Sequence, residues 1–239
     1  VVVSNLDVKR TFLKVIKEEH LPEDFVTRVR NFRIRGSSAK INMAFDGLPS
    51  WPSLPKDSPI LKGDLHYSES LDEVERAYDD WKDGRWSTVP YIDMIMPSLI
   101  DPTMAPEGKH FLSVFVQYCP YKPAVGEWTP ELKQQFGQHV IDAIARYSPD
   151  FKQKLLHAEV RTPLDLEREV GLTEGNIFQG ELTMDQLAFN RPVPGYAQYR
   201  TPVKNVYLCG SSTHPGGGVM GAPGANAARE ILSDLGRSH

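Results

Sequence analysis

Residues 203–235 read VKNVYLCGSSTHPGGGVMGAPGANAAREILSDL, and the fold turns on how they are read. Residues 206–209 form a short apolar run of the kind found in buried strands. A glycine-dense turn follows, with Gly210 and then Gly216, Gly217, Gly218 and Gly221. From Ala222 to Leu235 the apolar residues Ala227, Ala228, Ile231, Leu232 and Leu235 recur on a helical period. A strand, a glycine turn and a helix in that order can hold an anion. Glycine lets backbone approach a ligand closely, and a helix N-terminus offers free N–H groups and a positive dipole end. Taken alone, the turn admits two readings: a ligand loop or a tight structural bend. Several glycines close together carry a large entropy cost, which favours close approach of something. The string Gly216-x-Gly218-x-x-Gly221 does not qualify as a dinucleotide fingerprint, because residues 210–215 separate it from the strand.

Upstream, the chain mixes strands and helices without strict alternation. Val1–Val3 reads as the end of a buried strand, and Asp7 caps a helix running to about Ile16. Pro22 suits the first position of a second helix containing Phe25, Val26, Val29 and Phe32. In residues 37–48, Ile41, Met43 and Phe45 alternate with Lys40, Asn42 and Ala44, the pattern of a half-buried strand. Residues 47–63 form a Pro/Ser-rich loop whose Trp51 either packs on a ligand or anchors the loop to the core. Ser70-x-x-Glu73 is a capping box opening a helix through Trp81 that Gly84 stops. Two apolar runs, 89–96 and 110–118, are expected as neighbouring antiparallel strands at a sheet centre. Their Tyr91, Met94, Met96, Phe111, Phe115 and Tyr118 either line an apolar cavity or fill the core. Thr129-Pro130 opens the longest helix, to about Tyr147. A short helix at 149–156, a short strand at 158–161 and a capped helix from Thr162 to Gly171 follow. This pattern predicts an α+β fold: a mixed, largely antiparallel sheet with flanking helices. The terminal strand and the strand–glycine turn–helix segment look borrowed from another sheet.

Composition excludes some functions. The 239 residues are 40% hydrophobic and 24% charged, with net charge −4, as in an ordinary soluble globular protein. No basic face stands out, so nucleic acid is not an expected partner. Arg28, Arg30, Arg33 and Arg35 read either as a solvated face or as a site for an anionic partner. Cys119 and Cys209 lie far apart in apolar runs, which argues for inert thiols and against a redox dithiol or zinc site. There is no G-x-S-x-G, no H-E-x-x-H and no carboxylate–histidine spacing that suggests a metal. His214, beside the glycines, is the best polar candidate for acid–base work, since its ordinary pKa suits neutral pH. It also serves equally simply as a turn-shaping hydrogen-bonder. Asn176 and Gln179 either orient a substrate or satisfy loop backbone.

Four stretches carry a resemblance to a known family: VVVSNLD at the start, DPTMAPEGKH (101–110), TPLDLEREVGLTEGNIFQGELTMDQLAFNRPVP (162–194) and YLCGSSTHPGGGVMGAPGANAA (207–228). In this order they resemble the phytoene-desaturase-like FAD-dependent oxidoreductases. The resemblance implies residues 1–15 and 201–239 as pieces of an incomplete Rossmann-like FAD domain, with 16–200 as a substrate-binding domain. The N-terminal GxGxxG of such enzymes is not in this sequence, so the chain is expected to be the C-terminal portion of a longer protein, inactive alone. It implies FAD as cofactor, contacted by Gly210, Ser211, His214, Gly217, Gly218, Val219, Met220 and Gly221. Gly210 and Ser211 would approach the pyrophosphate and ribityl region, and residues 217–220 the ring. The implied activity is oxidation or desaturation of an apolar small molecule by hydride transfer to flavin. A non-catalytic binding module on the same fold, or an amine oxidase, are the alternatives. The implied compartment is the cytoplasm, or the mitochondrion in a eukaryote, rather than secretion. Membrane-surface contact and oligomeric state are left open.

Overall fold

The computed structural model describes residues 1–55 and 58–237. In chain order the regular elements are β1 (Val2–Ser4), α1 (Val8–Arg10, extended by a wider turn over Thr11–Val15), α2 (Glu23–Asn31), β2 (Ser38–Asp46), β3 (Leu65–Tyr67), α3 (Leu71–Lys82), β4 (Tyr91–Ile95), β5 (Lys109–Gln117), α4 (Pro130–Ala145), α5 (Phe151–Lys154), β6 (Leu155–Arg161), α6 (Pro163–Val170), β7 (Val206–Leu208) and α7 (Ala222–Asp234). The chain divides into two units, Val1–Gly36 with Glu167–His239, and Ser37–Leu166. The mixed α+β class is the one the sequence pattern predicts.

In Ser37–Leu166, five strands form an antiparallel sheet in the order β3-β4-β5-β2-β6. The period-2 alternation puts Ile41, Met43 and Phe45 of β2 on the face that carries Leu112, Val114 and Val116 of β5 and Ile92 and Met94 of β4, all buried. α4 supplies Phe136, Val140, Ile141 and Ile144 to the same core. Trp51 joins that cluster, edge-on to Phe151 with centroids 6.4 Å apart, and so anchors its loop. Lys56 and Asp57 of that loop lie outside the described residues. Capping residues behave as their spacing predicts: Thr129 Oγ1 accepts from Leu132 N–H, and Thr162 and Asp165 cap each other reciprocally. At Ser70 one arm differs, since Glu73 accepts from the Glu69 N–H rather than that of Ser70.

The other unit has its own core of Val8, Phe12, Phe25, Val29, Phe32, Ile34, Val193 and Leu208. Phe25 stands edge-on to both Phe12 and Tyr196. This cluster is why residues 16–36 and 167–200, expected with the middle domain, instead sit with both terminal pieces: α1, α2, Val193 and β7 bury the same apolar side chains. β1 pairs with β7 in a parallel two-stranded sheet, Val2 opposite Val206 and Ser4 opposite Leu208. The expectation of a buried strand at 1–3 is corrected, because Val1, Val2 and Val3 are 60%, 61% and 48% exposed. β-branched residues favour extended backbone but do not say which layer covers it. The helix from Asp7 and the helix after Pro22 form as read, except that Pro22 is the N-cap of α2 and not its first residue. Of the arginine group, Arg28 pairs with Asp24, Arg30 with Glu18, Arg33 with Asp185, and Arg35 with Glu181. Among the described residues, no helix is long and apolar enough to cross a membrane.

Candidate functional site

The glycine turn of the first unit is built around one buried cation. Arg191 is wholly buried and, among the described residues, has no carboxylate against it; its guanidinium donates instead to main-chain carbonyls. Nε and Nη2 reach Ser211 O at 3.0 and 2.8 Å, Nη2 reaches Phe178 O at 2.8 Å, and Nη1 reaches Glu181 O at 3.2 Å. Longer contacts run to Gly180 O and Gln186 O. Burial lowers its pKa to about 10, still far above neutrality, so the charge is held by carbonyl dipoles and by the Phe32 ring, whose centroid lies 5.7 Å from Cζ. Arg191 thereby pins the segments 178–181 and 211 to each other. Sequence reading passed over it, because an arginine between Asn190 and Pro192 carries no local signal of burial.

Asn176 serves the same construction. Its Nδ2 donates to Arg35 O, and its Oδ1 accepts from Phe178 N–H and Gly180 N–H. Its side chain is therefore spent on loop backbone. Gln179 donates from Nε2 to Asn5 O, while its buried Oε1 has no partner among the described residues. His214 gives its carbonyl to the Tyr199 hydroxyl at 2.9 Å, and that hydroxyl accepts from Asn226 of α7. α7 is further tied down by Asp234, which accepts from Arg200 and from the Tyr207 hydroxyl.

The turn itself has two halves. Gly210 and Gly217 are squeezed by their own chain: a Cβ on Gly210 would lie 2.5 Å from Asn5 O, and one on Gly217 would lie 2.5 Å from Phe178 Cδ1. Residues 218–221 are exposed, and a Cβ on Gly221 would meet nothing within 4 Å. Gly221, with φ +67°, is the N-cap of α7 and brings no side chain to its first N–H groups. Within the first half, between Gly210 and Gly217, lie two polar groups that sequence reading credited only in part. Ser212, wholly buried, has an unpartnered Oγ, and the buried Nδ1 of His214 is likewise without a partner among the described residues. Buried polar atoms are rarely left so, and each orphan costs about 1–3 kcal/mol. Cys209, next to the turn, has its thiol pKa raised by burial, as expected of an inert thiol. Burial likewise pushes up that of Cys119, which is fully buried.

These two halves yield a paired expectation. Gly217→Ala should destabilise the chain by about 1–3 kcal/mol, since its methyl group collides with the Phe178 backbone as well as its ring. Gly224→Ala, in the first turn of α7 with open space around it, should stabilise by about 0.5–1 kcal/mol. Urea denaturation followed by circular dichroism measures both; equal effects would mean the turn is not packed as described.

In the other unit, strand register sorts the residues expected to line a cavity. Met94 and Met96 are buried in the core. Tyr118, beyond the strand end, meets Tyr78 edge-on and Trp81 at a tilt. Tyr91 and Phe115, and Phe111 four residues before Phe115 on β5, fall on the second sheet face and are half-buried. That face also carries Lys40 near the start of β2, hydrogen-bonded to the Ser113 hydroxyl across the β2–β5 pair. Burial lowers the Lys40 pKa, and no carboxylate pairs with it among the described residues. Cross-strand pairing of His66 with Asp93 also gathers Asp64, His66 and Asp93, whose donor atoms lie within 4.8 Å of one another. His66 and Asp93 are 27 residues apart in sequence, and only the hairpin register brings them together. His66 Nδ1 bonds Asp93 and lies 3.1 Å from the Tyr91 hydroxyl.

Cyclohexylamine oxidase from Brevibacterium oxydans shares the fold over 98% of this chain and 43% of its own, with TM-score 0.52 at 13% identity. No protein-family model matches the chain. The sequence is homologous to pyridine nucleotide-disulfide oxidoreductase domain-containing protein 2: it is 42% identical to that of Rattus norvegicus across 98% of its length. It is 30% identical, again across 98%, to a limonene dehydrogenase polypeptide of Castellaniella defragrans. Over 65% of its length it is 30% identical to 4,4'-diapophytoene desaturase of Staphylococcus aureus. The chain spans 42% of the length of the first of these relatives and 44% of the second. Homology to oxidoreductases thus runs across almost the whole chain, and the likeness to a phytoene-type desaturase across 65% of it.

Proposed function

We propose that this chain provides the cofactor-facing turn and the substrate-binding sheet of an FAD-dependent oxidoreductase that oxidises or desaturates an apolar small molecule. The observation carrying this reading is the pair of orphaned polar groups, Ser212 Oγ and His214 Nδ1, next to the exposed residues 218–221 and the uncapped start of α7. A polyhydroxylated, anionic cofactor fits that donor set, because it offers acceptors to a hydroxyl and to bare helix N–H groups. FAD, when bound, supplies the acceptor for a hydride.

The chain's own residues then have distinct parts. Ser212, His214, Gly218, Val219, Met220 and Gly221 hold the cofactor, while Gly210 and Gly217 keep the turn close to Asn5 and Phe178. Ser211 fixes the loop by giving its carbonyl to Arg191. The N–H groups opening α7 favour negative charge beside them. His214, with its free ring nitrogen, is the group of the turn suited to hold or move a proton. The half-buried Tyr91, Phe111 and Phe115 give that sheet face apolar contact area for a substrate, beside the polar Lys40–Ser113 hydrogen bond. An apolar substrate is also what the names of the limonene dehydrogenase and the diapophytoene desaturase support.

The test is a purification of the full-length gene product with its visible spectrum recorded before and after adding FAD. Flavin absorption that survives gel filtration is expected, with affinity weakened about tenfold by Ser212→Ala for one lost hydrogen bond. A colourless protein that takes up no FAD overturns the reading.

A further inference from the structure

Strand β6 closes one side of the five-stranded sheet, and among the described residues no strand pairs beyond it. The hydrogen-bond phase of the sheet fixes which of its backbone groups are free. Gly47 N–H bonds Gly108 O at 3.0 Å in the register that pairs β2 with β5, so the odd-numbered residues of β2 spend their backbone groups on β5. The even-numbered ones, Lys40, Asn42 and Ala44, turn theirs toward β6, where they oppose Arg161, Glu159 and His157. Ala158 and Val160 therefore point their N–H and C=O groups away from the sheet, and among the described residues no other segment bonds them.

Such an edge is a template for another strand, and proteins blunt it with shortness, proline or lysine. The opposite edge strand, β3, is three residues long. β6 has seven, reads LLHAEVR, and contains neither proline nor lysine. Its bulge falls near Leu155, where Phe45 is opposed, and leaves 157–161 in regular register.

The side chains of β6 complement themselves. Turned end for end about Ala158, the strand sets Ala158 against Ala158, His157 against Glu159 and Leu156 against Val160. Residues directly opposite in an antiparallel pair share a face and touch. Sliding by two residues either way sets His157 against His157 or Glu159 against Glu159, and like groups opposite each other destabilise. On the helix face a groove of about 450 Å³, open to solvent, runs between α4 and β6. It is lined by Gly137, Ile141, Ala158 and Val160, with Pro130 and the polar Lys133, Gln134 and Gln138. Leu156 is 58% exposed, and alternation from Ala158 and Val160 puts it on this same face.

We propose that two copies of this chain pair through β6, antiparallel and centred on Ala158, so that their two five-stranded sheets join into one. Each copy gives Leu156 to the other's groove, opposite the partner's Val160, and sets His157 beside the partner's Glu159. The contact is a single strand wide, so a dissociation constant on the order of micromolar is expected. No residue of the glycine turn takes part, and the pairing stands or falls without flavin.

Sedimentation velocity on the full-length gene product, over about two decades of concentration, should show monomer converting to dimer. Ala158→Pro removes an outward N–H and spares the β2 ladder, since proline is tolerated where a sheet edge faces solvent. It should weaken the dimer about tenfold or more. His157→Glu sets carboxylate against carboxylate on both sides of the two-fold axis and should weaken it about tenfold; adding Glu159→Lys restores an unlike pair and should recover the dimer. Should Ala158→Pro fail to fold, the charge exchange decides alone. A monomer at every concentration, which is the result if another part of the gene product covers this edge, overturns the proposal. So does a dimer untouched by Ala158→Pro or by His157→Glu, or a double variant no tighter than His157→Glu.

Discussion

Replacing Arg191 by methionine is expected to remove about 3–5 kcal/mol of stability, a large share of what a chain of this kind possesses. The methionine keeps the apolar stem but takes away every donor. The carbonyls of Ser211, Phe178 and Glu181 are then left facing a partner that cannot hydrogen-bond. Each stranded acceptor costs its desolvation, about 1–3 kcal/mol, and hydrogen bonds from a charged donor are among the stronger ones. Something is returned, because the burial that lowers the Arg191 pKa is itself unfavourable and disappears with the charge. That return makes the net smaller than the sum of the lost bonds. Arg191→Lys should recover less than half of the loss, since one ammonium cannot span carbonyls that the guanidinium reaches with three nitrogens. Guanidinium denaturation followed by circular dichroism gives the stability. Hydrogen exchange at residues 210–218 gives the local effect and should rise first. If Arg191→Met unfolds at the wild-type midpoint and leaves exchange in the turn unchanged, the cation does not organise the turn.

Phe136→Ala should cost about 3–5 kcal/mol, this time in Ser37–Leu166. Phe136 is wholly buried and stands edge-on to both Trp86 and Trp128, at 5.5 and 5.9 Å, while those two indoles stack on each other. Truncation leaves a cavity among large rigid rings that cannot collapse into it, so the upper part of the range applies. All four tryptophans belong to this unit, so tryptophan emission reports the change directly. Both the denaturation midpoint and the emission spectrum of the folded state should shift. A loss under about 1 kcal/mol would mean the aromatic cluster repacks freely.

Much of the secondary structure was legible because its signals are local. The cap at Thr129, the reciprocal pair Thr162 and Asp165, and the alternation at Ile41, Met43 and Phe45 each work within a few residues. The site was legible in part. The glycine string marked the turn, yet the string cannot say that Gly210 and Gly217 face Asn5 and Phe178 while residues 218–221 are bare. That division depends on segments far away in sequence. Asn176 shows the same limit: an asparagine in a glycine-bounded loop suits a ligand or a backbone, and only Arg35 O, Phe178 N–H and Gly180 N–H decide for backbone.

By itself the sequence determined the class of fold, the strand–turn–helix at its end and the oxidoreductase kinship, because these rest on periodicity, turn chemistry and long matched stretches. Only the tertiary structure decided that Arg191 is the buried post of the turn, that Ser212 and His214 keep unpartnered polar atoms, and that Lys40 shares a sheet face with Tyr91 and Phe115. Burial and hydrogen-bond satisfaction belong to a neighbourhood, and a neighbourhood is assembled from residues that the chain keeps far apart.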